Sequence, residues 1–419
     1  MIIETGFETE MTDLVVESGF RTSKWTIGFG GSVATIGPVK DGVMYFGCCD
    51  NYIYAISAKD GKEIWRYKSN DVFGESRPVI HGKLLLTGNY DGHLYAVGIE
   101  KNDLVWKFRT GDRITASAFI RDEKVYIGSW DGYFYALDLA KGKEIWRFRA
   151  GDKIGAGAVV HEDSIYFGCF DGNFYCLDMD GKEKWRFKTG GCIFEYHQPT
   201  IHDGRIFICS YDGHMYCLTP EGGLVWKFKT GSSIVSSATI SGDLLYFGSH
   251  DHNLYCLDIE NGKEIWRFRA GAWIGDIKPV VSDGIVYFGS VDSNFYAADA
   301  ETGELIWKFR TGGDIWSDSV MHEGLIIFGS WDCHVYAVDA KTGRERWRFE
   351  TSTKQQAPLE ISDEIRVKPV LVEREKEEAE KGKYASTTQV NVLQSDYNPV
   401  IEYQAKEIYS GGKKKYDQI

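Results

Sequence analysis

Apolar and polar residues alternate in short runs along most of the chain, and the runs come in groups of four. Residues 114–150 form one such group, with the runs TASAFI, KVYIGSW, YFYALDL and EIWRFRA. A period of two residues is typical of half-buried β-strands, and the breaks between these runs are short and polar. One break is Asp131-Gly132, a hairpin signal because glycine adopts positive φ without strain. The pattern therefore predicts four antiparallel strands in each group.

The group recurs along the chain at a nearly constant spacing. Nine of the 13 tryptophans mark its last run, at intervals of 39 to 41 residues. These nine are Trp25, Trp65, Trp106, Trp146, Trp185, Trp226, Trp266, Trp307 and Trp347. Eight repeats also have a hairpin aspartate, which we interpret as a turn residue, and a tyrosine four residues later, as in Asp131 and Tyr135. Such repeats without helical stretches predict an all-β fold, an eight-bladed β-propeller of four-stranded antiparallel blades.

The repeat divides the chain into three parts. We predict an N-terminal lead-in over residues 1–24, the propeller over 25–350, and a charged linker with a non-repeat C-terminal tail over 351–419. Trp25, in KWTIGFG, precedes the first complete blade. Either this segment or RERWRFE at 344–350 could supply the outer strand that closes the ring, and the sequence leaves both open.

Composition limits the compartment and the partners. No run reaches the roughly 18 apolar residues of a membrane-spanning helix, and the start MIIETGFETEM lacks the basic and then apolar order of a signal peptide. We therefore expect a cytoplasmic protein with no membrane contact. The nine cysteines lie on repeat positions without a Cys-x-x-Cys pair, so we expect free thiols and no metal site.

The outer strands have a basic pattern that raises the question of nucleic acid. They read WRYK, WKFR, WRFR, WRFK, WKFK, WRFR, WKFR and WRFE, with Lys or Arg at 15 of the 16 positions beside the second aromatic residue. The chain nevertheless has a net charge of −13, which opposes binding of polyanions. Lysine and arginine on an edge strand also prevent edge-to-edge pairing. We favour this edge protection, and nucleic acid is not an expected partner.

The third and fourth runs carry a family resemblance. They read AADAETGELIW at 297–307, AVDAKTGRERW at 337–347, CLDIENGKEIW at 256–266 and ALDLAKGKEIW at 136–146. This pattern resembles the tryptophan-docking motif of the pyrroloquinoline-quinone (PQQ) enzyme repeat, over about 320 residues. The resemblance implies a family that includes quinoprotein dehydrogenases, the propeller lipoprotein of outer-membrane protein assembly, and intracellular propellers without a quinone.

The spacing of the repeats favours the intracellular, non-quinoprotein branch. Quinoproteins carry long insertions that build a cofactor pocket, whereas these blades stay at 39 to 41 residues, so we expect no cofactor. Cys48-Cys49 resembles the vicinal disulfide of some quinoproteins. Alternatively, Cys48 occupies a repeat position that holds serine in other blades, such as Ser129. The sequence favours this second interpretation.

The candidate site comes from first strands that depart from the repeat. In blades three, four and six they read ITASA, IGAGA and IVSSA, whereas blades two, five and seven read FGESRP, IFEYHQP and IGDIKP, and blade eight IWSDS. Glu75, Glu195 and Asp276 lie ten residues after the repeat tryptophan, and Arg77 and Lys278 lie two residues later. Alternation puts the acid and the base of each strand on one side. The predicted ligand-binding residues at the channel mouth are Glu75, Arg77, Glu195, His197, Gln198, Trp273, Asp276, Lys278, Trp316 and Asp318.

Two functions from different classes fit this pattern. The first is an interaction platform that binds a protein partner, or a small polar ligand, at the central-channel face. The second is an enzyme that uses the same acidic and basic cluster, with a PQQ-dependent dehydrogenase as its least favoured form. No nucleophile–base pair is visible in the sequence, so we assign no catalytic residue and favour the platform. Charge pairing that merely lines the channel remains the alternative to any site.

Overall fold

The computed structural model describes residues 31–193, 198–275 and 277–351, all within one compact unit, Ile27–Leu359. The lead-in 1–24, Trp25 and nearly all of the tail 351–419 lie outside the described residues, so the domain boundaries stay predictions. Among the described residues no helix is long and apolar enough to cross a membrane.

The described residues form eight four-stranded sheets in which neighbouring strands pair antiparallel in chain order, one sheet for each repeat. Blades one to four comprise β1 (Val39–Lys40), β2 (Val43–Gly47), β3 (Tyr52–Ser57), β4 (Glu63–Lys68), β5 (Val79–His81), β6 (Leu84–Gly88), β7 (His93–Gly98), β8 (Asp103–Arg109), β9 (Phe119–Arg121), β10 (Lys124–Gly128), β11 (Tyr133–Asp138), β12 (Glu144–Arg149), β13 (Val159–His161), β14 (Ser164–Gly168), β15 (Asn173–Leu177) and β16 (Glu183–Lys188). Blades five to eight comprise β17 (Thr200–His202), β18 (Arg205–Cys209), β19 (His214–Leu218), β20 (Leu224–Lys229), β21 (Thr239–Ser241), β22 (Leu244–Gly248), β23 (Asn253–Asp258), β24 (Glu264–Arg269), β25 (Val280–Ser282), β26 (Ile285–Gly289), β27 (Asn294–Asp299), β28 (Leu305–Arg310), β29 (Ser319–His322), β30 (Leu325–Ser330), β31 (His334–Asp339) and β32 (Glu345–Glu350). The eight-bladed propeller prediction is confirmed.

The hairpin aspartates are turn residues, as predicted, and they also hold the tyrosines. Asp131 Oδ1 accepts the backbone N–H of Tyr133 at 2.9 Å. In all eight blades the tyrosine hydroxyl donates to Oδ2 of the aspartate four residues earlier, at 2.6 to 2.7 Å. The aspartate therefore satisfies a hydroxyl that each blade buries, which explains why the two residues recur together.

The outer-strand tryptophans join each blade to the next. The indole Nε1–H of each donates to a backbone carbonyl of the following blade at 2.9 to 3.2 Å. The indole of Trp226 also covers Gly262 of the next blade, where a Cβ atom would lie 2.5 Å from the ring. Only glycine fits beneath this ring, because the site also has φ near +68°.

The last blade supplies its own outer strand. Of the two candidates, residues within RERWRFE form β32, in which Trp347 lies opposite Ala337 of β31. The ring closes through the same contact that joins the other blades, since Trp347 Nε1–H donates to the carbonyl of Ala58 in blade one at 3.2 Å.

The first strands are shorter than the alternation predicts. In blade three the apolar run begins at residue 114, but paired residues begin only at Phe119. The segment before them bonds to the neighbouring blade instead, since Ile114 N–H donates to the carbonyl of Asn89 at 3.1 Å. The described site residues, such as Arg77, Lys278 and Asp318, therefore lie on segments that precede the first strands, and the prediction that these residues belong to the strands is wrong.

Candidate functional site

One position of the repeat lines the central channel in every blade except blade one, where its residue, Ile36, is buried in the hydrophobic core. It lies four residues before the last paired residue of each first strand, as fixed by pairs such as His81↔Leu84 and Ser282↔Ile285. From blade one to blade eight it holds Ile36, Arg77, Ser117, Gly157, Gln198, Ser237, Lys278 and Asp318. The absence of a side chain at Gly157 in blade four leaves space beside Gln198 of blade five, whose Cβ and Cγ would lie 3.5 Å from a Cβ atom at Gly157.

Seven of these eight residues line a single cavity of about 40 Å³ at the channel mouth. Glu75, Thr115 and Trp316 line it as well. The structure therefore brings together six of the ten predicted site residues: Glu75, Arg77, Gln198, Lys278, Trp316 and Asp318. Trp273 does not line this cavity, and Glu195, His197 and Asp276 lie outside the described residues.

Asp318 joins three blades at the cavity. Its Oδ2 lies 3.4 Å from Arg77 Nη1 of blade two, and its Oδ1 accepts the backbone N–H of Lys278 in blade seven at 3.0 Å. Sequence spacing could not identify this partner of Arg77. Residues two apart on an extended segment are separated by about 6.6 Å along the chain, whereas segments from different blades converge at the channel.

Asp318 also replaces a serine in a contact that other blades repeat. Arg77 N–H donates to Ser117 Oγ at 3.2 Å, and Gln198 N–H donates to Ser237 Oγ at 2.8 Å. In each case the acceptor is the equivalent side chain of the next blade. Asp318 keeps this bond between neighbouring blades, and its second oxygen contacts the guanidinium group of Arg77. Aspartate in place of serine at this repeat position therefore adds an ion pair to a contact between blades.

Lys278 is the second cation at the cavity. Burial lowers the pKa of its ammonium group, the nearby Asp318 carboxylate opposes this, and the positive charge of Arg77 lowers the pKa further. Within the part of the chain that the structure describes, the ammonium group makes no ion pair. The cavity thus holds one cation already paired with an acid and one that is not.

Aromatic residues recur at one repeat position close to the cavity, as shown by Trp130, whose Nε1–H donates to Oγ1 of the cavity residue Thr115 at 2.9 Å. The backbone N–H groups of Trp130 and His250 donate to carbonyls of the loops that enter their blades, Arg113 and Ser233, at 3.1 and 3.0 Å. The equivalent position holds an aromatic ring or histidine in six blades: Tyr90, Trp130, Phe170, Tyr211, His250 and Trp331. We call these six residues, together with Trp273 and Trp316, the aromatic annulus.

Rings and cations stack around the annulus. The guanidinium carbon of Arg113 lies 3.3 Å from the ring centroid of Trp130, and the ammonium nitrogen of Lys153 lies 4.1 Å from it. On the other side, Trp316 stacks on Trp331 with centroids 5.4 Å apart. Such stacks hold the rings in place and leave them partly exposed for contact with a partner.

His250 is a member of the annulus that the sequence did not single out. Its ring stacks on Trp273 at 4.5 Å, and burial lowers its pKa to about 4, so it is neutral at pH 7. The available signal was its position, which varies from blade to blade directly after the second strand. The predicted site is based on charged departures from the repeat, whereas this position departs by aromatic residues and histidine.

Cys48 behaves as a serine and not as half of a vicinal disulfide. Its thiol donates to the carbonyls of Gly31 and Ser32 at 3.3 and 3.4 Å. Ser129 makes the equivalent bonds to Asp112 and Arg113 at 3.3 and 3.5 Å. Both Cys48 and Cys49 are free and buried, and burial raises the pKa of both thiols. The described residues contain no cluster of His, Cys, Asp and Glu that could hold a metal ion.

Two family models match the chain. The model described as the beta-propeller of beta-alanine-activating enzyme matches residues 15–242, more than half of the 419 residues. The model described as outer membrane protein assembly factor BamB matches residues 212–393. No curated protein matches the chain in sequence.

Solved structures share the fold at low sequence identity. The computationally designed Ika8 protein is 15% identical, covers 74% of this chain and 96% of its own, and has a TM-score of 0.65. BamB from Moraxella catarrhalis is 18% identical, with coverages of 77% and 97% and a TM-score of 0.61. A europium-containing methanol dehydrogenase is 15% identical, with coverages of 76% and 84% and a TM-score of 0.61. At such identities these structures establish the fold alone.

Proposed function

Because the chain belongs to the PQQ-like β-propeller family, we propose that it is a cytoplasmic interaction platform that binds a protein partner at its channel face. The observation that carries this proposal is the concentration of departures from the repeat on one face. There, four charged side chains from blades two, seven and eight line one cavity, and the aromatic annulus lies close to it. Elsewhere the blades repeat the same scaffold contacts.

The composition of this face supports binding of a partner. Protein interfaces are enriched in Trp, Tyr and Arg, and their anchoring residues occupy pockets near the centre of the contact. The channel mouth offers such a pocket, and the annulus offers partly exposed rings beside it. The BamB name in one family match denotes a protein assembly factor, which agrees with a role in binding proteins. Catalysis by the same cluster remains the alternative prediction.

The platform is tested by substituting the face without disturbing the blades. We expect Arg77→Ala combined with Trp331→Ala to abolish cross-linking of the full chain to its partner in cells that express it natively. The matched control is Arg147→Ala combined with Lys308→Ala, because these residues lie on the outer strands β12 and β28. Equal capture of the same partner by the channel-face variant and the native chain would disprove this role of the face.

The size of the channel cavity supports the expectation that no tricyclic quinone binds there. The cavity volume of about 40 Å³ is far below the several hundred Å³ of typical cofactor sites. The Cys48 thiol is engaged by the carbonyls of Gly31 and Ser32. We therefore propose that the platform works without this cofactor.

When pyrroloquinoline quinone and calcium are added to the purified chain, we expect the absorbance spectrum of the mixture to equal the sum of the separate spectra of protein and quinone. A quinone dehydrogenase of the same family, depleted and reloaded under the same conditions, serves as the positive control. A saturable spectral change that persists after gel filtration would contradict this expectation.

A further inference from the structure

We propose that the channel mouth binds a carboxylate group, carried by an acidic segment of the protein partner, between Lys278 and Arg77. This inference rests on the proposed function and names the chemistry that the face recognises. It follows from three features of the cavity: an ammonium group without an ion pair among the described residues, a guanidinium group with unused donors, and a volume that suits a small group.

The first feature is the distribution of charge among the described residues of the cavity. Both carboxylate oxygens of Asp318 are engaged, one by Arg77 Nη1 and the other by the N–H of Lys278. Glu75 lines the same cavity and makes its own contact in the molecule, but no described carboxylate forms an ion pair with the Lys278 ammonium group. An external carboxylate would supply the missing counter-charge in a partly buried place, where an ion pair is screened little by salt.

The second feature is the geometry of Arg77. A guanidinium group has five N–H donors in a planar fork that matches a carboxylate. In Arg77 one arm faces Asp318 at 3.4 Å, and 35% of the side chain remains exposed. Because Asp318 is fixed by its second bond, to the N–H of Lys278, it holds the guanidinium in place while the remaining donors stay available to a ligand.

The third feature is size. A volume of about 40 Å³ suits a carboxylate or a few water molecules. The group bound here must therefore project from something larger that lies outside the channel. The aromatic annulus lies close to the mouth, with Arg113 and Lys153 stacked on Trp130. This surface suits a peptide whose acidic side chain or C-terminal carboxylate enters the channel.

The burial of Lys278 agrees with this occupant. Burial lowers the pKa of the ammonium group because it disfavours the charged form. A carboxylate beside the ammonium group would stabilise its charged form and raise its pKa again. This stabilisation of the charged form would contribute to the free energy of binding. A carboxylate would contact both cations of the cavity, Arg77 and Lys278, whereas a neutral ligand would supply no counter-charge to Lys278.

The probes that test this are N-acetyl-glutamate N′-methylamide and its isosteric glutamine analogue. They differ only in carboxylate against amide. Binding is followed through the indole ¹H–¹⁵N signal of Trp316, which lines the cavity and whose Nε1–H is buried without an acceptor among the described residues. Trp316→Phe identifies that signal by its loss.

We expect the glutamate compound to shift the Trp316 signal saturably at about millimolar concentration. The glutamine compound should bind about tenfold more weakly or less, and Lys278→Met should weaken the glutamate compound by a similar factor. Lys83→Met is the matched control, because Lys83 is an exposed lysine that pairs with Glu100, and it should leave the shift unchanged. Comparison of the two compounds on the native chain tests the inference even if Lys278→Met fails to fold.

Three outcomes would overturn the inference: equal shifts with the two compounds, no shift with either, or an unchanged shift in Lys278→Met. These results are separable from a failure of the proposed function. If the channel-face variant no longer binds its partner and the glutamate compound does not shift the Trp316 signal, the platform is supported and the carboxylate site is disproved. If the glutamate compound shifts the Trp316 signal and the channel-face variant captures the partner as well as the native chain does, the carboxylate site is supported and the platform is disproved.

Discussion

Replacing Trp226 by alanine is expected to destabilise the propeller by about 3 kcal/mol, near the lower end of the range for buried aromatic residues. The indole packs between blades five and six and its N–H donates to the carbonyl of Ile259 at 3.1 Å. It also covers Gly262 and lies 5.9 Å from the ring of Phe207. Removal therefore leaves a gap between two blades and takes away one of the two donors to the Ile259 carbonyl, which Arg205 Nη1 also approaches at 3.3 Å. One face of the outer strand meets solvent, which limits the loss.

Equilibrium unfolding in denaturant measures this change. The free energy of unfolding of Trp226→Phe should lie between those of the native chain and Trp226→Ala, because phenylalanine keeps an aromatic ring and loses the hydrogen bond. Val225→Ala is the matched control, since Val225 is the neighbour on the same strand and is 44% exposed. It should change the free energy of unfolding by less than about 0.5 kcal/mol. Equal effects of Trp226→Ala and Val225→Ala would show that the tryptophan does not hold the blades together.

Replacing Asp212 by asparagine is expected to cost about 3 kcal/mol at neutral pH. Asp212 Oδ2 accepts the hydroxyl of Tyr216 at 2.7 Å and the N–H of Gly190 at 2.6 Å. Oδ1 accepts the N–H of His214 at 2.9 Å. An asparagine keeps one oxygen and replaces the other by an NH₂ group. At least one of the backbone N–H groups of Gly190 and His214 therefore faces this NH₂ group and loses its acceptor.

The cost of Asp212→Asn should depend on pH in a defined direction. Burial alone would raise the pKa of Asp212, but the bonds from Tyr216, His214 and Gly190 outweigh it and lower the pKa below its usual value. A carboxylate with a lowered pKa stabilises the fold fully above its unfolded pKa, and this stabilisation is lost as the pH falls through the folded pKa. The native chain should therefore lose its advantage over the variant below about pH 4.

Unfolding free energies of both proteins between pH 7 and pH 2.5 test this prediction. The difference in unfolding free energy between the native chain and Asp212→Asn should be constant near pH 7 and should decrease towards pH 2.5. Asp243→Asn is the control, because Asp243 is exposed in the turn between β21 and β22 and should change stability little at any pH. A difference that is unchanged at low pH would mean that the ionised carboxylate is not the stabilising form.

The ring of blades could be predicted because its contacts are local and repeated. The Asp131 and Tyr135 spacing, the glycine at Gly132 and the outer-strand tryptophan all act within one repeat or between adjacent repeats. Each repeat places the same atoms together, so eight copies of one pattern determine the architecture. The extent of the first strands was predicted less well. Ile114 bonds to Asn89 of the preceding blade, and alternation within one blade carries no information about that bond.

The contacts within the candidate site could be predicted much less well than the ring of blades. The sequence indicated that Glu75, Arg77, Lys278 and their neighbours depart from the repeat, and the structure places most of them around one cavity. It could not indicate that Arg77 pairs with Asp318, because more than two hundred residues of chain separate them. Nor did it indicate the stacking of His250 on Trp273, which depends on the lateral approach of blades six and seven.

The sequence by itself determined the number of blades, their four-stranded composition and their turn residues, because these follow from short-range periodicity. Only the tertiary structure decided which charges meet and which remain available. Closure of the ring brings blades two, seven and eight to one axis, where Asp318 engages Arg77 and the Lys278 backbone. The ammonium group of Lys278 is left without an ion pair among the described residues, since the acid that approaches it along the channel is already bound on both oxygens.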